Sequence, residues 1–343
     1  MSAPDTMIAA VTMGHGGPEQ TVIRPDWPCP SPGPGQALVR VTAAALNNTD
    51  IWSRQGAYGT AADPDAVVGW KGVPLDFPRI QGIDIAGRVC AVGDGVDGEW
   101  LDARILVDPA AKYVDDLPVD IAGSEADGGF AEYHLCSVDR LHDVSESPLT
   151  DAQLACLPTA YGTALGMINR ADISAGERVL VTGSSGGVGM AAIQLLADRG
   201  CEVVARTSAS HRDLISTLGV AEVSARGADD IAALSDVDAV VDVVGGDEFG
   251  QLVDRLRDKG RLVTAGAIAG PVVALDLRRL YLRQRTLIGS TMHTPADFRR
   301  LAEIARNGGV QPMVAATFPL TEIAAAQERF VERDFIGKLV LVM

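Results

Sequence analysis

The residues best placed to do chemistry are glycines. Residues 179–189 read VLVTGSSGGVG, a short apolar and β-branched run that enters a glycine cluster, and the next residues, MAAIQLLADRG, have the spacing of a helix. A helix amino terminus carries unsatisfied N–H groups and the positive end of the backbone dipole, so such a turn can seat a pyrophosphate without a basic side chain. Gly186 and Gly189 take the second and third places of G-x-G-x-x-G, and Ser184 takes the first. A small residue there still allows the tight turn, while Gly186 lets the backbone approach the phosphates. With Ser185, Gly187 and Val188 between them, these residues predict a dinucleotide site.

The strand that follows decides which dinucleotide. In CEVVARTSASHRD the place for an acid that would bind the ribose hydroxyls falls on Arg206, and no acid occurs before Asp213. Arg206, Ser208 and Arg212 can instead hold a 2′-phosphate through charge-assisted hydrogen bonds, which favours NADPH over NADH. The alternative is an arginine bonded to a neighbouring loop. Later strand ends nominate Val244 and Gly245, after VDAVVDVV, and Gly266, Ala267 and Ile268, after RLVTAG, as further cofactor contacts.

These residues need a frame. From residue 152 to about 295 short apolar runs (RVLVTG, CEVVART, VDAVVDVVG, RLVTAGAI, TLIGSTM) alternate with amphipathic ones, the pattern of a doubly wound parallel sheet covered on both faces. Residues 1–151 are rich in Gly and Pro, with β-like runs such as QALVRVTAAAL and IAGRVCAVG, and predict a mostly β domain. Residues 296–343 end in the apolar strand GKLVLVM and are expected to complete that domain. The connection 59–78 is long and reads as a lid or a surface insertion.

Charge narrows the partners. With 29 Lys and Arg against 45 Asp and Glu, the formal charge is -16, which argues against nucleic acid or an anionic membrane as main partner. No signal-like segment or membrane-length apolar run is evident, so a cytoplasmic location is expected. The five cysteines lack CxxC spacing and the five histidines form no metal-spaced pair.

Taken in order, LNNTDIWSRQGAYG, FPRIQGIDIAGRVCAVGDGVD, GGFAEY, GERVLVTGSSGGVGMAAIQLL and GKLVLVM resemble the medium-chain dehydrogenase/reductase superfamily nearly end to end. The resemblance implies an α/β protein with a GroES-like, mostly β catalytic domain, a Rossmann cofactor domain and an active site in the cleft between them. Zinc-dependent members carry a ligand just before TD, a GHE triplet, and a Cys or acid on the helix entering the cofactor domain. The corresponding places here are Asn47, then Gly82, Ile83 and Asp84, then Thr159. Isoleucine cannot bind a metal, and asparagine and threonine are poor zinc ligands. No metal site is therefore expected, and the chain resembles the zinc-independent, quinone-oxidoreductase-like branch.

By that resemblance Tyr58 polarises the acceptor oxygen, Asn47 is the second candidate, and Asp50 lines the site or orders its loop. Trp52 takes an aromatic position, Thr163 meets the nicotinamide and Lys338 approaches the cofactor phosphates. The expected activity is NADPH-dependent, zinc-free hydride transfer to a quinone or an α,β-unsaturated carbonyl compound, by a homodimer paired through cofactor-domain sheet edges. Two alternatives stand beside it: an alcohol dehydrogenase-like enzyme of the same superfamily, and an NADPH-binding sensor or interaction protein without turnover.

Overall fold

The computed structural model describes residues 4–57, 75–226 and 229–343. The chain divides into two units, one of residues 1–159 with 294–343 and one of residues 160–293.

The second unit is built on a six-stranded, wholly parallel sheet. Its strands run Glu222–Arg226, Glu202–Ser208, Arg178–Val181, Val237–Asp242, Leu256–Thr264, Thr286–Gly289 across the sheet. In chain order that is 3-2-1-4-5-6, so the winding reverses between Arg178–Val181 and Val237–Asp242, and the loops leaving those two strands border the crevice where such sheets bind ligands. The central strands are apolar on both faces because both faces are covered: Val179, Leu180, Val181, Ala239, Val240 and Val241 are all fully buried. Helix Gly187–Asp198 follows the first strand directly. A Cβ on Gly189 would stand 2.2 Å from the Gly183 carbonyl oxygen, so a glycine is needed there for this helix to pack so close to the turn.

The first unit is largely antiparallel. Its main sheet orders Leu141–Asp143, Arg104–Val107, Ala86–Val92, Gln36–Ala45, Lys338–Val342 and Val314–Pro319, with Tyr133–Ser137 also pairing Gln36–Ala45. Alternate residues of these strands, among them Val39, Val41, Val89, Ile105 and Leu341, fill a core joined by Phe130 from the bend before Tyr133–Ser137. The last strand lies antiparallel to Gln36–Ala45 with Val340 opposite Ala45 and Val342 opposite Ala43. Carrying that register two residues further, 340 to 338 and 45 to 47, brings Lys338 level with Asn47; the Leu46 N–H donates to the Leu339 carbonyl at 3.0 Å on the way.

The boundary between the units falls at Thr159, beyond the Asp151 expected from sequence texture. Helix Asp151–Ala155 starts with a Thr150–Gln153 capping box and packs on strands Gln36–Ala45 and Ala86–Val92, burying Leu154 and Ala155. The sequence DAQLACLPTAYGTALGMINRA, residues 151–171, has few breakers and reads as one helix, but it is divided into Asp151–Ala155, a π-type segment Leu157–Tyr161 and helix Gly162–Arg170. Pro158 sits in that segment, where its missing N–H removes a regular helical bond. Among the described residues no helix is long and apolar enough to cross a membrane.

Candidate active site

The glycine turn is held from below. Gly183 adopts φ +59° and its carbonyl accepts the Gly186 N–H at 2.9 Å. The Ser184 hydroxyl is buried and donates to the Val181 carbonyl at 2.8 Å, so this side chain closes the strand end and does not face a ligand. Helix Gly187–Asp198 begins at Gly186 with no side-chain cap, which leaves the N–H groups of Gly187, Val188 and Gly189 without intrahelical acceptors. A Cβ on Gly186 would meet nothing closer than 3.4 Å. The turn thus offers aligned donors and open space above the backbone, and it fits a pyrophosphate.

A residue that sequence reasoning passed over ties this turn to its neighbour. Asp242, fully buried at the end of strand Val237–Asp242, accepts the Thr182 hydroxyl at 2.6 Å, the Val244 N–H at 3.1 Å and the Gly245 N–H at 3.1 Å. Thr182 in turn accepts the Val243 N–H at 3.1 Å. Burial raises the Asp242 pKa, and the donors from Thr182, Val244 and Gly245 oppose that rise. The one visible signal was a second acid, after Asp238, near the end of a mostly apolar strand, VDAVVDVV.

Other predicted contacts gather on the same edge. Val244 accepts the Ala269 N–H at 2.8 Å, and Gly246 donates to the Gly270 carbonyl at 3.1 Å, so the loop carrying Gly266, Ala267 and Ile268 is tied to the one carrying Val244 and Gly245. Thr163 lies buried in the first turn of helix Gly162–Arg170.

The basic residues on the second strand and just beyond it are already engaged. Arg206 is 4% exposed; its Nε and Nη2 donate to the two Glu248 oxygens at 3.0 and 2.7 Å, and its Nη1 donates to Ser224 Oγ at 2.6 Å. Hydrogen bonds from Arg206 hold the Glu248 pKa down against burial. Arg212 pairs with Asp229 at 3.1 Å and donates to the Val223 carbonyl, while the Ser208 and Ser210 hydroxyls are bonded to each other.

In the first unit the candidates converge on a buried charged cluster. Asn47 caps helix Asn48–Gln55, and the Asp50 carboxylate reaches back to the Asn47 N–H at 2.8 Å, a capping box. The other Asp50 oxygen accepts the Gly82 N–H at 3.3 Å. The Asn47 amide donates to the Ala45 carbonyl at 3.3 Å and to Asp84 Oδ2 at 3.0 Å, which commits both of its hydrogens. Lys338 Nζ donates to Asn47 Oδ1 at 2.5 Å and to Asp84 Oδ2 at 3.1 Å, and the Thr159 N–H donates to Asp84 Oδ1 at 2.7 Å. Lys338, expected near the cofactor phosphates, is thus spent on Asn47 and Asp84.

Burial raises the Asp50 pKa to about 7; the Asn47 N–H pulls it back, the Asp84 charge pushes it on, and Lys338 and the Gly82 N–H lower it. Burial likewise pushes the Cys156 thiol up to about 12, and its Sγ donates to the Ala152 carbonyl at 3.1 Å. Trp52 is half-buried on the capped helix. Tyr58 and residues 59–74 of the long connection lie outside the described residues.

The donor set does not fit zinc. The places occupied by ligands in the zinc-dependent pattern hold an amide with both hydrogens in use, an isoleucine and a threonine, and an ammonium is bonded to the adjacent Asp84. A divalent ion there would be repelled by Lys338, and the nearby Cys156 thiol is kept protonated by burial and already donates to the Ala152 carbonyl. Among the described residues no group of three or more His, Cys, Asp or Glu could hold a metal.

Residues 33–146 match the alcohol dehydrogenase GroES-like domain, and residues 187–307 match the zinc-binding dehydrogenase family. A Sinorhizobium meliloti 1021 structure, described provisionally as an alcohol dehydrogenase, is 44% identical, with a TM-score of 0.93 over 99% of this chain and 97% of that one. An acryloyl-coenzyme A reductase of Metallosphaera sedula is 27% identical over 91% of this chain and 93% of its own length. The quinone oxidoreductase of Mus musculus is 27% identical over 96% and 95%. The chain belongs to the medium-chain dehydrogenase/reductase superfamily, with its GroES-like and Rossmann-type halves, and is an oxidoreductase dependent on a nicotinamide dinucleotide.

Three outcomes follow from this geometry. Replacing Lys338 by Met leaves Asp84 buried without its cation and should cost about 3–5 kcal/mol in denaturant unfolding, whereas adding Asp84→Asn should recover most of that loss. Because the folded Asp50 pKa lies above its unfolded value, the folded state binds the extra proton. Stability should therefore fall as pH rises from about 4 to 7 and level off above, and Asp50→Asn should flatten that slope. Gly186→Ala should shift unfolding by less than about 1 kcal/mol yet weaken dinucleotide binding about tenfold or more, while Gly189→Ala should destabilise by about 1–3 kcal/mol; calorimetric titration beside a denaturant melt separates the two.

Proposed function

We propose that the protein is an NADPH-dependent, zinc-independent reductase acting on a quinone or an α,β-unsaturated carbonyl compound. The observation that carries this reading is the buried Lys338 ammonium, bonded to Asn47 and Asp84 where the zinc-dependent pattern puts metal-binding groups. Reducing a saturated ketone creates an alkoxide, which is costly without a Lewis acid or a strong proton donor. Hydride addition to a quinone or an enone gives a delocalised phenolate-like or enolate anion, for which ordinary hydrogen-bond donors suffice. The Mus musculus and Metallosphaera sedula relatives are named for a quinone and for acryloyl-coenzyme A, both conjugated carbonyl compounds, which supports this reading.

Bound at the glycine turn, the cofactor supplies hydride from nicotinamide C4. The chain supplies orientation and charge. Residues 185–189 hold the pyrophosphate, Val244, Gly245 and residues 266–268 border the crevice, and Thr163 meets the nicotinamide. Arg206, Ser208 and Arg212 receive the 2′-phosphate. Tyr58 donates to the acceptor oxygen; Asn47 and Asp50, whose polar groups are already bonded, position the first helix for it. The Sinorhizobium relative favours a second reading, oxidation of an alcohol by the same fold.

Leu277, Tyr281 and Leu282 are exposed beside the edge strand Thr286–Gly289, and they support a homodimer formed there by a second copy.

The deciding experiment is NADPH and NADH oxidation by metal-analysed protein over quinones, linear enones, and saturated aldehydes and ketones. Turnover confined to conjugated acceptors, preferring NADPH, with no stoichiometric zinc and a light-scattering mass twice the 35.9 kDa chain, is the expected result. Tyr58→Phe should then lower kcat about 10²-fold. Activity on saturated carbonyls with bound zinc would select the dehydrogenase instead.

A further inference from the structure

Arg206 does not stand open at the end of its strand. Both Glu248 oxygens accept from its fork, and Ser224 Oγ and the Asp229 carbonyl, at 2.6 and 3.5 Å, take the remaining nitrogen. Each guanidinium nitrogen has a protein acceptor, and the charge has a protein counter-ion. Glu248 reaches Arg206 from another part of the fold: it ends the short turn Gly246–Glu248, beyond strand Val237–Asp242, on the loop that carries Val244 and Gly245. Its side chain is 31% exposed against 4% for Arg206, so the carboxylate forms the outer, accessible half of the pair. An acid is missing from the end of the second strand in the sequence; the fold supplies one there from the loop after the fourth.

We infer that Glu248 sets the cofactor preference, as an internal carboxylate that occupies the Arg206 fork a 2′-phosphate would need and so holds down discrimination in favour of NADPH. This rests on Arg206 being the 2′-phosphate anchor proposed above. A phosphate that takes the fork must displace Glu248 and leave it without its hydrogen-bonded ion-pair partner beside a dianion. NADH meets no such competitor, since ribose hydroxyls can donate to lone pairs that the fork leaves unused. One carboxylate therefore penalises one cofactor and assists the other. Of the surrounding cations, Arg226 also favours the charged form of Glu248 and offsets part of this cost, while Arg212 is itself paired with Asp229.

The test is binding, read apart from turnover. Wild type, Glu248→Gln, Arg206→Gln and the double variant are titrated with NADPH and NADH by nucleotide fluorescence, and competed with 2′,5′-ADP and 5′-AMP. Glu248→Gln should raise the NADPH-to-NADH affinity ratio about tenfold, through tighter NADPH and 2′,5′-ADP and unchanged or weaker NADH and 5′-AMP. Arg206→Gln should lower the ratio in both backgrounds. If Arg206→Gln lowers the ratio but Glu248→Gln leaves it unchanged or reduced, the role of Glu248 is overturned and the anchor stands. If Arg206→Gln does not move the ratio, the anchor falls and the inference with it. Should Glu248→Gln fail to fold, Glu248→Asp keeps the charge on a shorter arm and should raise the ratio in the same direction; no rise overturns the proposal.

Discussion

A buried lysine and a buried aspartate fix the geometry of the first unit. Lys338 and Asp84 are both buried, a state that is expensive unless both are paired and further hydrogen-bonded. Those demands are met by Asn47 and by the Thr159 backbone, so four separate stretches of chain must arrive together: the cap of the first helix, the segment before Ala86–Val92, the exit to the second unit and the last strand. The register of Lys338–Val342 against Gln36–Ala45 sets where the ammonium stands. Asp50, one helical turn from Asn47, is buried beside the same cluster, and burial first, with the Asp84 charge added, raises its carboxyl pKa to about 7.

The second unit solves the same problem with less charge. Asp242 gathers one hydroxyl and two backbone N–H groups and links the two loops that flank the reversal of strand order. The glycine turn can then stay unencumbered, its donors pointing outward, because what holds it in place lies underneath. Each unit thus has a buried carboxylate, Asp84 in one and Asp242 in the other, that ties separate strand ends and loops together.

Much of this could be read in the sequence. Alternation of apolar runs with amphipathic ones announced a parallel sheet, since strands buried on both faces have no polar side to show, and the glycine spacing located the turn within it. The loss of metal-ligand types at Asn47, Ile83 and Thr159 was equally plain. Partners at long range were not legible. That Lys338 would be spent on Asp84 depends on strand register, and that Arg206 would meet Glu248 depends on how the loop after a fourth strand bends over a second; neither leaves a local pattern. Asp242 was passed over because an isolated acid in an apolar run carries no periodicity. The unit boundary slipped for a related reason, since a short helix shows in its sequence that it buries a face but not which sheet receives it.

The bond between Asn47 and Lys338 spans 291 residues, with a whole folding unit lying between its partners. During synthesis residues 160–293 leave the ribosome as one contiguous piece and hold every strand of their own sheet. The earlier unit must wait until residues 338–342 have been made before its sheet can close over the aspartate. Vectorial synthesis thus imposes an order in which the dinucleotide half can mature first and the half around Asp84 last. A nascent chain stalled before residue 338 would expose the Ala43–Ala45 end of strand Gln36–Ala45, an unpaired edge, and an aspartate still lacking its cation.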